Sequence, residues 1–158
     1  MSDDNAVVFS SGPLGNFAES PISAPGPDGE LVSYPTVEHY FQAWKTLDPA
    51  LHSEIASADD PRHAKTLGRK VKIRTDWEST KEEVMLEGLR LKFALNAFKS
   101  KLLRTGTRQI IEKSRHDTEW GARLDPDGWV GDNKLGLLLM VVRDELIDSE
   151  PKQLELET

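Results

Sequence analysis

The sequence has no cysteine among its 158 residues, and this absence removes several classes of chemistry. Disulfide bridges, thiolate metal sites and a cysteine nucleophile are all excluded. A chain that does without thiols suits a reducing compartment, so the sequence favours a cytoplasmic location.

Long apolar runs are also missing, and no segment is apolar for long enough to span a bilayer. The first residues, 1–5, are acidic and lack the basic and apolar regions of a secretory signal. The sequence has no glycine-rich phosphate loop of the Walker or Rossmann form. The four histidines are not spaced as metal ligands usually are, so an ordinary surface role is predicted for each: His39, His52, His63 and His116. We therefore expect no membrane contact, no metal and no cofactor.

Positive charge is in deficit, since the formal net charge is −7. This balance argues against tight, non-specific binding to a nucleic-acid backbone, but it leaves room for recognition of a single modified nucleotide. Much of the acidic excess lies near the C-terminus, whereas residues 62–74 are basic. A small anionic ligand could use that basic segment.

Hydrophobic residues make up 37% of the chain and charged residues 30%, which is typical of a globular protein. The predicted fold class is α+β: one helix-rich domain over residues 1–147 with a few short strands, followed by an acidic, disordered tail over 148–158. Caps and periodicity predict helices at about 37–47, from 49 onward, through 67 after a start at 61, and from the capping box at 79–82 to about 96. They also predict a shorter helix through 98–103 that stops at 105–106, and a last helix capped by Asn133 that includes 135–146. They predict strands at 7–9, 31–34 and 108–112, and a polar loop over 114–131.

The segment from Pro35 to Lys45 carries the clearest pattern. Thr36 is a good helix N-cap, and apolar residues then recur at helical spacing. At about 100° per residue, Glu38, Gln42 and Lys45 share one flank of that apolar stripe. An acid, an amide and an amine along the edge of a buried face could line a cleft. The alternative is a solvated row of charges on an ordinary amphipathic helix.

The predicted loop contains a second group of polar and aromatic side chains. Asp117 could act as an acid, base or hydrogen-bond acceptor, and Trp120 could stack on a base or sugar. The alternative is a loop pinned by a half-buried tryptophan. Farther on, residues 131–136 place Gly and Asn before the last helix, whose N-terminal amides could hold an oxyanion.

Taken in order, many short motifs resemble the NADAR, or YbiA-like, family over residues 7–147. The matching segments are Leu14 to Phe17, Thr36 to Gln42 with Lys45, Ala64 to Arg69, Arg74 with Asp76 and Trp77, Lys81, Val84 and Met85, Lys92 and Phe93, Leu103 with Thr105 and Gly106, Glu112, Asp117 with Trp120 and Gly121, and Gly131 to Met140 with Arg143. One departure is Gly15, where the family usually has Ser before Asn-Phe. The other is the insertion rich in Pro and Gly before Leu31.

The resemblance implies an α+β fold and hydrolysis of the bond between ribose C1 and a nitrogenous group. Two substrate classes are associated with the family. One is ADP-ribose attached to guanine in nucleic acid. A family member that removes it acts as an antitoxin, because it reverses the ADP-ribosylation carried out by a transferase toxin. The other is a phosphorylated ribosylamino-pyrimidine intermediate of riboflavin synthesis. We favour the first, and a toxin counterpart is then an expected partner.

The resemblance also suggests roles for individual residues. Cleavage at C1 builds oxocarbenium character and needs a proton for the departing nitrogen, so Glu38 and Asp117 are the predicted carboxylates. Lys45, if desolvated, could instead form a Schiff base with a ring-opened sugar, or it could only pair with Glu38 or a phosphate. The predicted substrate-binding residues are Asn16, Phe17, Gln42, Arg69, Arg74, Trp77, Trp120, Gly121 and Asn133. A rival hypothesis is a module that binds ADP-ribose or nucleotides without turnover.

Overall fold

The computed structural model describes residues 5–150 of the chain. Its elements in order are β1 (Val7–Phe9), β2 (Ile22–Pro25), β3 (Leu31–Tyr34), α1 (Val37–Ala43), α2 (Pro49–Ala56), α3 (Pro61–Lys70), α4 (Trp77–Phe93), α5 (Asn96–Leu103), β4 (Ile110–Glu112), β5 (Arg123–Asp125), β6 (Gly128–Val130) and α6 (Lys134–Asp148). Helices with a few short strands confirm the predicted α+β class.

The chain forms two compact units. Residues 11–98 form the first, here called the helical unit, and residues 5–10 with 99–150 form the second, here called the split unit. The prediction of one domain over residues 1–147 is not tested by this division and stays a prediction. Most of the predicted acidic tail, residues 151–158, lies outside the described residues, as do residues 1–4.

The helical unit is built around α1. All seven residues of this helix are buried, and it packs against α2, α3, α4 and β3. Strands β2 and β3 form an antiparallel hairpin, with Ile22 paired to Tyr34 and Pro25 paired to Leu31. The sequence predicted β3, but it missed β2 because two prolines and a glycine at that point indicated only a turn-rich connection.

Short-range capping fixes where the first three helices begin. Thr36 accepts a hydrogen bond from the backbone N–H of His39 at 3.1 Å. Asp48 and Asp60 cap α2 and α3 in the same way, each followed by proline at the first helical position. These three starts confirm the predictions made from the sequence.

Several predicted helix boundaries differ from those of the structure. Helix α3 ends at Lys70 rather than near 67, and α4 ends at Phe93 rather than near 96. Helix α1 ends at Ala43 rather than near Leu47, because Asp48 precedes proline and must be extended to cap α2. Helix α4 begins at Trp77 rather than at the Ser79 capping box, since Ser79 instead donates its hydroxyl hydrogen bond to the Asp76 carbonyl at 2.9 Å.

The split unit pairs strands that are far apart in the sequence. Strand β1 runs parallel to β4, with Val7 opposite Ile110, and α6 packs on β4. Strands β5 and β6 form a hairpin inside the segment predicted to be a polar loop. Their residues are half-buried or exposed, so the sequence carried little alternation of apolar and polar positions to reveal them.

The histidines divide into two pairs. His39 and His52 are 1% and 0% exposed, so the predicted surface role is wrong for both. His63 and His116 are exposed. Within residues 5–150, no helix is long and apolar enough to cross a membrane.

Candidate functional site

Glu38 is a buried carboxylate near the start of α1, with only 7% of its surface exposed. Its Oε1 accepts a hydrogen bond from Gln42 Nε2 at 2.8 Å, one helical turn along. Its backbone N–H donates to the Asn16 carbonyl at 3.1 Å. The predicted pairing of acid and amide is therefore present, but both side chains are buried. The alternative of a solvated row is wrong for these two residues.

Gln42 is held in place by a glycine on the neighbouring helix. Its Oε1 lies against Gly68 of α3 so closely that a Cβ atom there would overlap the amide group. No hydrogen bond to this oxygen is found within residues 5–150. Because the Nε2 end is bonded to Glu38, Gly68 and Gln42 together fix where the Glu38 carboxylate lies.

Lys45 follows the end of α1 in a tightened turn, so it does not continue the helical flank as predicted. Its side chain is half-buried, and Nζ lies 6.0 Å from the centroid of the Phe41 ring. Burial lowers the pKa of this amine; the charge of Glu38 opposes the shift, and the charges of Arg69 and Lys65 add to it. A lowered pKa increases the fraction of neutral amine, which is the nucleophilic form.

Arg74 anchors the segment that carries Lys45. Its backbone N–H donates to the Lys45 carbonyl at 2.8 Å, and its guanidinium forms a two-pronged ion pair with Asp76 at 2.6 and 2.9 Å. The ion pair uses one edge of the guanidinium, and Nη1 also donates to the Trp44 carbonyl at 3.4 Å. These contacts use three of the five N–H groups, and the predicted phosphate contact stays a prediction. Arg69 differs: it is exposed on α3, and within the described residues it has no ion pair.

Of the predicted aromatic contacts, two in the helical unit have different surroundings. Phe17 is 45% exposed and free to meet a ligand. Trp77 is 6% exposed because its ring packs on Phe41 at a centroid distance of 5.0 Å. Little of the Trp77 ring is exposed, and its predicted stacking on a substrate stays a prediction. Beside Phe17, Asn16 donates from Nδ2 to Met85 Sδ at 3.4 Å, and its buried Oδ1 has no hydrogen-bond partner in the described part of the chain.

In the split unit, Asp117 shapes a turn. Its Oδ1 accepts from the backbone N–H groups of Glu119 and Trp120 at 3.1 and 2.9 Å. The Trp120 ring, half-buried, lies 5.8 Å from Lys134 Nζ, which also pairs with Glu119 at 2.7 Å. These contacts agree with the alternative of a loop pinned by a half-buried tryptophan. An acid–base role for Asp117 stays a prediction.

Asn133 and the start of α6 are used structurally. Asn133 Nδ2 donates to the Ile110 carbonyl at 2.9 Å, and its Oδ1 accepts from the Glu112 N–H at 3.0 Å. Backbone carbonyls of residues 118–121 accept from the N–H groups of residues 132–135 at 2.8 to 3.1 Å. These contacts occupy the Asn133 side chain and the N–H groups of residues 132–135. The predicted substrate contact of Asn133 and the predicted oxyanion site stay predictions.

Gly121 allows this loop to close on β4. A Cβ atom there would lie 2.8 Å from the Glu112 carbonyl oxygen, so any other residue would push the turn away. The sequence predicted a substrate contact at Gly121, and the structure gives it a packing role. Asp117, Trp120, Gly121 and Asn133 all belong to the split unit, whereas Glu38, Gln42 and Lys45 belong to the helical unit. The predicted division of labour between Glu38 and Asp117 stays a prediction.

Two residues of the helical unit received no role from the sequence: one packs on Gln42, and the other bonds to the segment that precedes Asn16. One is Gly68; a glycine inside a helical segment was a usable signal. The other is Lys92, which is 0% exposed and follows Met85 and Leu89 on the buried face of α4. A lysine at an apolar position of a periodic helix was the signal there.

The helical unit therefore offers a buried carboxylate, Glu38, and an amine of lowered pKa, Lys45. Within residues 5–150, no cluster of three or more His, Asp or Glu side chains could hold a metal ion. The residues present are those that proton transfer or imine chemistry requires.

Comparison with known proteins gives the family. The NADAR domain model matches residues 6–147, so this chain belongs to the NADAR family. The N-glycosidase YbiA of Escherichia coli K12 is 39% identical over 138 residues, which cover 85% of this chain and 81% of that protein. The NMR structure of E. coli YbiA matches 94% of this chain and 88% of that chain, with a TM-score of 0.76 and 37% identity.

A second relative carries a different name. The chloroplastic riboflavin biosynthesis protein PYRR of Zea mays is 35% identical over 157 residues. That match covers 91% of this chain but only 25% of the maize protein. The family thus includes proteins named for glycosidic cleavage and proteins named for riboflavin synthesis.

Proposed function

We propose that this chain is an N-glycosidase, and that it removes ADP-ribose from ADP-ribosylated guanine in nucleic acid. The observation that carries the proposal is the buried carboxylate of Glu38, oriented by Gln42 Nε2 at 2.8 Å. Support comes from the family and from the name of the E. coli relative, with which 85% of this chain aligns.

Hydrolysis breaks the C1–N bond, places the hydroxyl of water on C1 and returns a proton to the departing nitrogen. Positive charge develops on the sugar as the bond lengthens, and the Glu38 carboxylate stabilises it. In the alternative path, ring opening leaves an imine at C1, and the Lys45 amine displaces the substrate nitrogen to form its own imine. Water then hydrolyses that imine, which frees the sugar and regenerates the lysine.

The choice of substrate rests on charge. Residues 62–72 contain five cations, and no ion pair to any of them is found among residues 5–150: Arg62, Lys65, Arg69, Lys70 and Lys72. Because the protein as a whole carries a net charge of −7, this cluster of unpaired cations is a local exception, and such a positive surface attracts an anionic ligand. This surface suits the diphosphate of ADP-ribose and the phosphates of an adjoining strand.

The second candidate substrate is a phosphorylated ribosylamino-pyrimidine, and the observation that favours it is the similarity to the maize riboflavin protein. Its cleavage would use the same C1–N chemistry. The catalytic efficiency should therefore be measured on both substrates under identical conditions. A clear preference for the ADP-ribosylated guanine oligonucleotide supports the proposal, and a clear preference for the pyrimidine overturns the choice of substrate.

A non-catalytic reader of ADP-ribose would give a different result in the same experiment. It would protect the modified oligonucleotide without releasing free ADP-ribose. We expect release, because stacking and phosphate contacts would need neither a buried Glu38 nor an amine of lowered pKa at Lys45.

A further inference from the structure

Lys92 is a wholly buried lysine whose amine has one polar partner within residues 5–150. Its surface is 0% exposed, and Nζ donates to the Gly15 carbonyl at 2.8 Å. The rings of Phe93 and Phe98 lie 5.0 and 5.1 Å from Nζ. Burial lowers the pKa of this amine to about 7. Either protonation state keeps N–H groups for the Gly15 carbonyl.

An apolar side chain would fill this position at less cost. Lysine and methionine are both long and unbranched, and methionine carries no group that must be desolvated. A lysine here therefore indicates that the contact with Gly15 has a use beyond packing.

The contact lies one residue away from the anchor of Glu38. Gly15 precedes Asn16, whose carbonyl accepts the backbone N–H of Glu38 at 3.1 Å. The Asn16 side chain is bonded to Met85, which lies two turns before Lys92 on the same helix. Helix α4 thus holds residues 15 and 16 at two points, and the Asn16 carbonyl in turn holds the backbone N–H of Glu38.

We propose that Lys92 is a positioning residue for the candidate site: by fixing the Gly15–Asn16 segment, its amine sets where the backbone of Glu38 lies. This inference rests on the proposed function of Glu38, but the linkage from Lys92 to Glu38 can be tested without any substrate. Lys92 does not touch the reacting atoms in this scheme, and it acts only through Asn16.

The substrate-free test is amide hydrogen exchange on the folded chain, because exchange reports local opening at single residues. In Lys92→Met the Glu38 amide should exchange about 10-fold faster or more, since its acceptor on Asn16 is no longer fixed. The Tyr40 amide, bonded to Thr36 within the same segment, is the internal reference and should be unchanged. Leu89→Met is the matched control, being a fully buried position on the same helix.

The kinetic test uses the substrate that the wild-type chain cleaves. Lys92→Met should lower kcat about 10-fold or more while KM changes much less, because it disturbs a group needed in the transition state. In Lys92→Met combined with Glu38→Gln, the rate should equal that of Glu38→Gln alone, because both changes act through one group. If Lys92→Met does not fold, Lys92→Gln is used with the same two readouts.

Unchanged exchange at Glu38, or equal acceleration at Glu38 and Tyr40, overturns the inference and leaves Lys92 a packing residue. Independent, additive losses in the double variant also overturn it. A wild-type chain that cleaves neither substrate contradicts the proposed function instead, and the exchange experiment then still decides the linkage.

Discussion

Lys45 combines an amine of lowered pKa with a position just beyond α1, where the side chain is half-buried near Phe41. If it forms an imine with the sugar, borohydride added during turnover should trap a covalent adduct on this residue. Lys45→Arg keeps the charge but cannot readily form the imine, so it should abolish both trapping and turnover. Mass spectrometry of the trapped protein gives the site of attachment.

Lys101→Arg is the control. Lys101 is an exposed lysine of α5, so its replacement should leave trapping at Lys45 intact. A Lys45→Arg protein that still turns over substrate would limit Lys45 to an electrostatic role.

At the scale of single residues, helical spacing was enough to bring Glu38 and Gln42 together. It was not enough to predict that both are buried, because their cover includes Gly68, which is distant in the sequence. The sequence likewise did not show the contacts of Trp77 and Asn133, because their partners are distant in the sequence. The Trp77 ring packs on Phe41, and Asn133 Nδ2 donates to the Ile110 carbonyl.

Packing of α3 on α1 gives a prediction at the scale of elements. Gly68→Ala should displace the Gln42 amide and with it the Glu38 carboxylate, because a Cβ atom there overlaps that amide. We expect the free energy of unfolding to fall by about 1–3 kcal/mol, as for other overpacked sites, and kcat to fall as well. Urea unfolding and steady-state kinetics measure the two effects.

Gly88→Ala is the matched control for this change. Gly88 lies on α4, and a Cβ atom there would come within 2.9 Å of the Tyr40 ring. Its stability should fall comparably, with a smaller loss of kcat, because Tyr40 does not hold Glu38. Equal losses of kcat in both variants would contradict a specific role for the Gly68 contact.

At the scale of elements, local signals succeeded where the interaction is local. The Asp-Pro starts of α2 and α3 involve hydrogen bonds to residues two or three positions away, and both predictions are confirmed. The end of α1 depends on Asp48 being extended to cap α2, and the periodicity of α1 does not reveal this. The β5–β6 hairpin has half-buried or exposed residues, so it lacks the alternation of apolar and polar positions that predicts strands.

For the whole molecule, the buried histidines predict how stability depends on pH. Burial is the largest cause of the lowered pKa of both His39 and His52, and in the unfolded chain their pKa returns to about 6.5. Below that pH the unfolded state takes up protons first, so the free energy of unfolding should fall as the pH drops from 7 to 5.5. The slope should reach up to about 1.4 kcal/mol per pH unit for each histidine.

Urea unfolding at a series of pH values measures this dependence. His63→Gln, at an exposed position, should leave the slope unchanged, whereas His52→Gln should reduce it. A stability that is flat between pH 7 and 5.5 would show that the two buried histidines take up protons as readily as in the unfolded chain.

The family and the fold class of the whole molecule could be predicted from the sequence, because ordered motifs extend over nearly its entire length. The substrate could not. Charge along residues 62–72 favours the substrate that carries more phosphate, but both substrates carry phosphate and share the C1–N bond, so charge alone does not decide between them. They also differ in shape, which the spacing of charged residues does not encode.

The proposed role of Glu38 is tested by comparing the wild-type chain with Glu38→Gln on an ADP-ribosylated guanine oligonucleotide. Glutamine at position 38 can still accept from Gln42 Nε2, so the variant should fold with an unchanged unfolding midpoint. We expect release of free ADP-ribose to slow by about 100-fold or more, as when an acid–base group is removed. Glu54→Gln, an exposed change on α2, should cleave at the wild-type rate. A folded Glu38→Gln protein that releases ADP-ribose as fast as the wild-type chain would contradict the central role given to Glu38.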